Sequence, residues 1–222
     1  MIISNSIELK NLSIGKPKTM KYGNNKEMET GICKETIEEA FLTKEGFQGD
    51  GVADLRYHGG SDRAVCVYPY EHYLLWEKEF NRKLPSSTFG ENLTVTNMLE
   101  ENVYIGDIYR LGEAVIQITQ GRIPCSTISK RTDNPLLLKR MVQTGFTGFL
   151  CRVLEEGIVR SNSTITLLES HPKKVSVLYG NDIYLHKPKD VDGIKRILAV
   201  EELAGEWKEM MENRLNKLIA QP

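Results

Sequence analysis

Hydrophobic and polar positions alternate in short bursts over the first two thirds of the chain, and Gly, Asn and Asp interrupt them at close intervals. Ile7 to Ile14 has the apolar spacing of a strand and stops at Gly15-Lys16-Pro17. Ala64-Val65-Cys66-Val67-Tyr68 is a compact β-rich run. Leu93-Thr94-Val95 follows the turn Phe89-Gly90-Glu91-Asn92, Val103 to Leu111 is interrupted at Gly106-Asp107, and Ala114 to Thr119 is the clearest strand. Phe149 to Leu154 and Ser163 to Leu168 are expected to form a further pair, joined near Gly157. Many short strands separated by turn residues predict a mainly β architecture, a barrel or a sandwich.

Helical spacing breaks in twice. Pro69 stands at a helix start, with Tyr73, Trp76 and Phe80 on one face. Asn134-Pro135 opens a second helix over Leu136 to Gln143, which Gly145 stops. After Pro188 the character changes. Asp190 is placed to cap a helix carrying Ile194, Ile197 and Leu198, and a longer helix follows with Trp207, Met211, Leu215 and Leu218 on one face. The pattern divides the chain into a β domain over residues 1–185 and a helical appendage over 186–222.

Composition narrows the function classes. The 222 residues are 40% hydrophobic and 27% charged, which is ordinary for a globular chain and excludes disorder as a description of the whole. Lys and Arg number 29 and Asp and Glu 30, so no global field favours nucleic acid or anionic lipid. The helical appendage is itself neutral, so a packing or partner-docking module is preferred there to a DNA reader. The longest uncharged run, Met141 to Cys151, is far short of a membrane span, and the first residues lack a secretory pattern, so a cytoplasmic location is expected. The four cysteines, at 33, 66, 125 and 151, form no C-x-x-C pair and have no zinc-like spacing.

Three segments carry candidate chemistry. In Gly46 to Arg63, paired glycines can turn backbone N–H groups toward one point, and Arg56, His58 and Arg63 flank Gly59-Gly60. That is the make-up of an oxyanion or phosphate nest, and also of a plain glycine loop with solvated charges. His58-Gly59-Gly60 would suit an esterase oxyanion loop, but no G-x-S-x-G nucleophile elbow exists in the chain. His58, His72, His171 and His186 are scattered and form no H-E-x-x-H. In Gln120 to Arg131, a strand ends at Gly121 and the following loop presents Cys125 after Pro124. If Arg122, Lys130 and Arg131 lie near it, they favour the thiolate, the form that attacks electrophiles and ligates soft metals. Cys33, Cys66 and Cys151 read as buried or inert thiols. In Thr88 to Leu93, Gly90 supplies a turn and Asn92 an amide that both donates and accepts.

In this order the segments resemble the MOSC family, the C-terminal domain of molybdenum cofactor sulfurase, and within it the bacterial YiiM-type branch. The matching residues are Gly49-Asp50-Gly51 with Ala53-Asp54, His58-Gly59-Gly60 with Asp62-Arg63-Ala64-Val65, Phe89-Gly90-Glu91-Asn92-Leu93, Ile105-Gly106-Asp107, and Pro124-Cys125. The likeness runs from about Ile7 to Leu168, and the tail is similar to that branch's three-helix appendage.

The resemblance implies a mixed, mostly antiparallel β-barrel with a few helices. It implies molybdenum cofactor as the prosthetic group, with Cys125 as the catalytic residue and the metal ligand. Related proteins, including the mitochondrial amidoxime-reducing component, reduce N-hydroxylated compounds. The expectation here is reduction of an N–OH substrate, a hydroxylamine or a hydroxylated purine, with electrons from an external flavin- or iron–sulfur-type reductase. A phosphate of the cofactor suits Arg56, His58, Gly59, Gly60, Arg63 and Arg122. Asn92, Gln120, Ser126 and Thr127 are placed to hydrogen-bond the pterin edge. Pyridoxal phosphate is not expected. The rival readings are a non-redox carrier of molybdenum cofactor or of persulfide sulfur on Cys125, and a binding module in which Cys125 is incidental.

Overall fold

The structure is a computed structural model and describes residues 6–54 and 59–220. Its strands are β1 (Leu9–Ile14), β2 (Lys18–Tyr22), β3 (Lys26–Thr30), β4 (Glu35–Thr36), β5 (Glu39–Thr43), β6 (Gly46–Phe47), β7 (Val65–Pro69), β8 (Leu93–Val95), β9 (Ile108–Leu111), β10 (Ala114–Gly121), β11 (Phe149–Glu155), β12 (Gly157–Arg160) and β13 (Ile165–Glu169). The helices are α1 (Tyr70–Phe80), α2 (Ser126–Thr132), α3 (Pro135–Thr144), α4 (Val177–Leu185), α5 (Val191–Leu198) and α6 (Gly205–Ile219).

Eight strands form one mixed sheet in the order β13-β9-β10-β11-β7-β8-β1-β4, curled into a half-barrel. Every pairing in it is antiparallel except β7 with β8. That exception has a local cause. A parallel pair needs a crossover, and α1 supplies it between β7 and β8. A smaller sheet, β12-β5-β6, adds Leu42, Phe47 and Val159 to the same core, and β2 and β3 form a separate hairpin.

Side-chain alternation divides the interior in two. Val65 and Val67 of β7 face the main core with Leu93, Ile116, Ile118, Phe149 and Cys151. Tyr68 faces the other way, into a second cluster with Tyr73 and Trp76 of α1, Phe89, Ile128 of α2, and Leu137 and Met141 of α3. The tail is not loosely attached: Ile194, Ile197, Trp207 and Met211 are buried within the main core cluster.

The helix signals hold where local chemistry specifies them. The Asn134 side chain accepts hydrogen bonds from the N–H groups of Leu136 and Leu137, and Gly145 closes α3 at φ +72°. The Asp190 carboxylate accepts from Gly193 N–H at 2.8 Å and opens α5. Residues 122–125 form the loop expected after β10, and α2 begins directly after Cys125. One expectation is corrected. The strands near Phe149 and Ser163 do not pair with each other: β11 lies between β10 and β7, β13 pairs with β9, and Gly157 opens a strand of the smaller sheet. Among the described residues no helix is long and apolar enough to cross a membrane.

Candidate functional site

A bulge in β10 builds the site. Ile118 pairs with Cys151 and Gln120 with Leu150, so β10 spends two residues where β11 spends one. The extra residue reverses the alternation of β10. Ile116 and Ile118 point into the main core, and beyond the bulge the core-facing position falls to Gly121, opposite Phe149. A Cβ on Gly121 would lie 1.8 Å from Asn181 Oδ1 of α4, so only glycine fits there. Gln120 is thereby turned to the other face. It follows Leu150 and Cys66 across β10, β11 and β7, and Arg122 lies two residues further along.

Cys125 stands at the N-cap of α2 in an extended conformation, half-buried. The Arg122 backbone N–H donates to Gly148 C=O at 3.0 Å, and its Nη2 donates to Phe89 C=O. Burial by itself disfavours the guanidinium charge. Cys66, Cys125, Glu91 and Tyr68 around it outweigh that effect and raise its pKa. The attraction is mutual, so Arg122 favours the thiolate of Cys125. Burial pushes the Cys66 thiol up, with Arg122 and Lys34 pulling the other way. Replacing Arg122 with Met is therefore expected to move the pH midpoint of Cys125 alkylation upward and slow the reaction at neutral pH. The readout is the rate of a thiol-specific reagent followed by mass at Cys125, and an unchanged profile would remove Arg122 from the site.

Unpaired polar atoms concentrate at this place. Among the described residues eight buried side-chain polar atoms lack a hydrogen-bond partner, and four of them fall between Gln120 and Arg131: Gln120 Oε1, Arg122 Nη1, Ser129 Oγ and Arg131 Nε. Buried polar groups are normally satisfied, so these atoms keep hydrogen-bonding capacity that the chain does not use. Within twelve residues of sequence around Cys125, the set combines an amide acceptor, two cationic donors and a hydroxyl. A phosphorylated pterin offers ring N–H donors and anionic oxygens that match the first three, and a soft metal ion matches the thiol. Among the described residues no three His, Cys, Asp or Glu side chains gather to hold a metal ion. A metal reaching Cys125 would have to bring most of its own ligands, as a dithiolene-bound metal does.

Several residues expected at the site have other work. Asn92 Oδ1 accepts from Cys66 N–H at 3.0 Å, and its Nδ2 donates to Ser13 C=O at 3.2 Å and to Asp50 Oδ2 at 2.7 Å. Both amide hydrogens are used, so Asn92 staples β1 and β7 to the Asp50 turn instead of presenting donors to a pterin. Asp50 in turn accepts from Gly15 N–H at 2.8 Å and pairs with Lys34. Glu91, fully buried, accepts from the Tyr73 hydroxyl, from Thr94 Oγ1 at 2.9 Å and from Phe89 N–H at 3.2 Å. It thus fixes the loop whose Phe89 carbonyl receives Arg122. Ser126 and Thr127 occupy the first turn of α2, Ser126 exposed and Thr127 half-buried. Lys130 does not turn to Cys125, since its Nζ lies over the Tyr22 ring of the hairpin, 5.1 Å from the centroid.

The glycine loop divides similarly. Arg56 and His58 lie outside the described residues. Gly59 and Gly60 have φ of +85° and +88°, and a Cβ on Gly60 would meet nothing within 4 Å. Arg63 is turned away from an anion role. Its Nε donates to Gly59 C=O at 2.8 Å and its guanidinium pairs with Glu206 of α6. Burial keeps the Cys66 thiol protonated, the inert role that the sequence suggested, and its place beside Arg122 follows from the strand register.

The comparisons place the curled sheet with its helical tail in a known class of fold. The chain belongs to the MOSC family: the MOSC domain matches residues 54–166. Its last helices match the YiiM-like, 3-alpha helix domain over residues 175–218, a span that takes in α4 ahead of residue 186. The chain is 44% identical to YflK of Bacillus subtilis over 94% of each protein. The crystal structure of YiiM from Geobacillus stearothermophilus superposes with a TM-score of 0.79 at 32% identity, covering 94% of this chain and 99% of that one. A protein of Gibberella moniliformis named Reductase is 42% identical over 68% of this chain, which spans 28% of that protein.

Proposed function

We propose that this protein holds molybdenum cofactor at Cys125 and reduces N-hydroxylated compounds. The observation that carries the reading is the concentration of unpaired buried polar atoms around a guanidinium-flanked thiol, in a chain of the MOSC family. Similarity to a protein named Reductase supports the redox part. When bound, the cofactor supplies the two-electron chemistry, and the protein supplies binding and orientation. Cys125 gives the metal its protein sulfur. Gln120 Oε1, free of a partner within the chain, would accept from a ring N–H of the pterin, and Arg122 Nη1 and Arg131 Nε would donate to its oxygens. Glu91 and Phe89 keep Arg122 from swinging out. The overall reaction is R–NHOH plus two electrons and two protons giving R–NH2 and water, with the electrons drawn from an external reductase of flavin or iron–sulfur type.

The test is consumption of a hydroxylamine or an N-hydroxylated purine by cofactor-loaded protein given a chemically reduced donor. Amine should appear in step with oxidation of the donor. If no N–OH compound is consumed while the metal is demonstrably bound, the reductase reading fails.

A further inference from the structure

The start of α6 is bonded to the residue that forms the β10 bulge. Ala204 N–H donates to Thr119 C=O at 3.1 Å. The Thr119 hydroxyl lies 2.7 Å from Asp62 C=O and 2.9 Å from Leu150 C=O, a single donor shared by the glycine loop and β11. The N-cap of α6, Ala204, has no side chain able to cap, and Asp62 does this from outside the helix: its Oδ2 accepts from Gly205 N–H at 2.9 Å. Asp62 Oδ1 is held by Arg152, with Nε at 3.0 Å and Nη2 at 2.8 Å. The Arg63–Glu206 pair closes the same joint. One residue past Thr119 is Gln120, and three past it is Arg122, the two side chains that the bulge turns to the face of Cys66.

We infer that Thr119 and Asp62 are positioning residues through which the docked helical unit sets Arg122 against Cys125. Losing the bulge would shift the register by one residue and return Gln120 and Arg122 to the opposite face. Five polar pairings at Thr119 and Asp62 hold it, and all but the one to Leu150 need α6 or the glycine loop in place. The helical unit is then part of the site's support. The inference rests on the reading of Cys125 as the reactive sulfur, but it needs no bound metal.

Two variants test it from opposite sides. Thr119→Val removes the shared hydroxyl and keeps the branched shape in the strand. Gly205→Pro replaces the N–H that Asp62 caps with Cδ, which displaces the Asp62 carboxylate from the helix start; proline is well suited to the first helical position, and Ala204 at φ −57° and ψ 138° already has the conformation that precedes a proline. In both, amide exchange over the first turn of α6 should quicken. The rate of Cys125 alkylation at neutral pH should fall about threefold or more. Thr119→Ser should restore the wild-type rate. A loosened α6 with an unchanged Cys125 rate overturns the inference, and so does an α6 that exchanges as in wild type in both variants. Failure of cofactor loading leaves these readouts intact, so the two readings fall separately.

Discussion

Cys125→Ala is expected to lose at least about tenfold of the molybdenum that the wild-type chain retains after incubation with free cofactor and gel filtration. The reason is coordination chemistry. The other thiol near Arg122, Cys66, is held protonated by burial, and the neighbouring groups Gln120 and Arg122 can bind the organic part but cannot replace a metal–sulfur bond. The variant should fold normally, because Cys125 is half-buried and its side chain does not cap α2. Thermal denaturation of the two proteins should therefore coincide within a few degrees, which separates loss of a ligand from loss of the fold. Metal content is read by elemental analysis per chain. Near-stoichiometric molybdenum in both proteins would remove Cys125 from the metal. Molybdenum in neither would remove the reductase and metal-carrier readings together, and intact mass would then show whether Cys125 carries a persulfide.

Asp50→Ala should have the largest effect on stability. The Lys34 side chain is 5% exposed and that of Asp50 14%, so the pair is screened little by water. Asp50 also accepts from Gly15 N–H at 2.8 Å and from Asn92 Nδ2 at 2.7 Å. Deleting the carboxylate leaves a buried ammonium without its partner and two donors unsatisfied. Breaking a buried pair in this way costs about 3–5 kcal/mol. At about 2–4 °C per kcal/mol for a chain of this size, the melting midpoint should fall by roughly 10 °C. Asp50→Asn, which keeps an acceptor and the shape, should lose less. A variant that melts like wild type would mean that the Gly49-Asp50-Gly51 turn is held by other contacts.

Asp50 shows why motif reading reached the right family but could not tell which polar residues of its motifs serve the fold. Asp50, Asn92 and Asp62 all stand in glycine-rich or turn segments that carry the resemblance to MOSC proteins, and each spends its polar atoms inside the chain. A carboxylate or amide in a turn looks the same in sequence whether it bonds a ligand or a backbone N–H. Only the hydrogen-bond partners decide, and those come from β1, β7 and α6, far away along the chain. Cys66, set in an apolar strand, reads as inert and burial keeps it so, but its neighbour Arg122 is visible only after β7, β11 and β10 are laid side by side.

The sequence by itself determined the elements whose causes are local. Alternation marked β1, β7, β8 and β10; helical spacing with Pro69, the Asn134 cap and the Asp190 cap marked α1, α3 and α5; and the apolar face of Trp207 and Met211 marked α6. Charge-rich β2 and β3, with only scattered apolar positions, gave no such signal, and neither did α2, which lies beyond Pro124 with few apolar positions; β5, with Ala40-Phe41-Leu42 in a row, is a short strand that the alternation passed over. Tertiary structure alone decided the register, and with it the site. The bulge at Thr119 and Gln120 arises from the pairing of β10 with β11 and is held by α6 and Asp62, none of which leaves a trace in the periodicity of β10 itself. One residue of register moves every side chain beyond it to the other face, so the meeting of Gln120, Arg122, Cys66 and Cys125 is a property of strand pairing and not of any segment read alone.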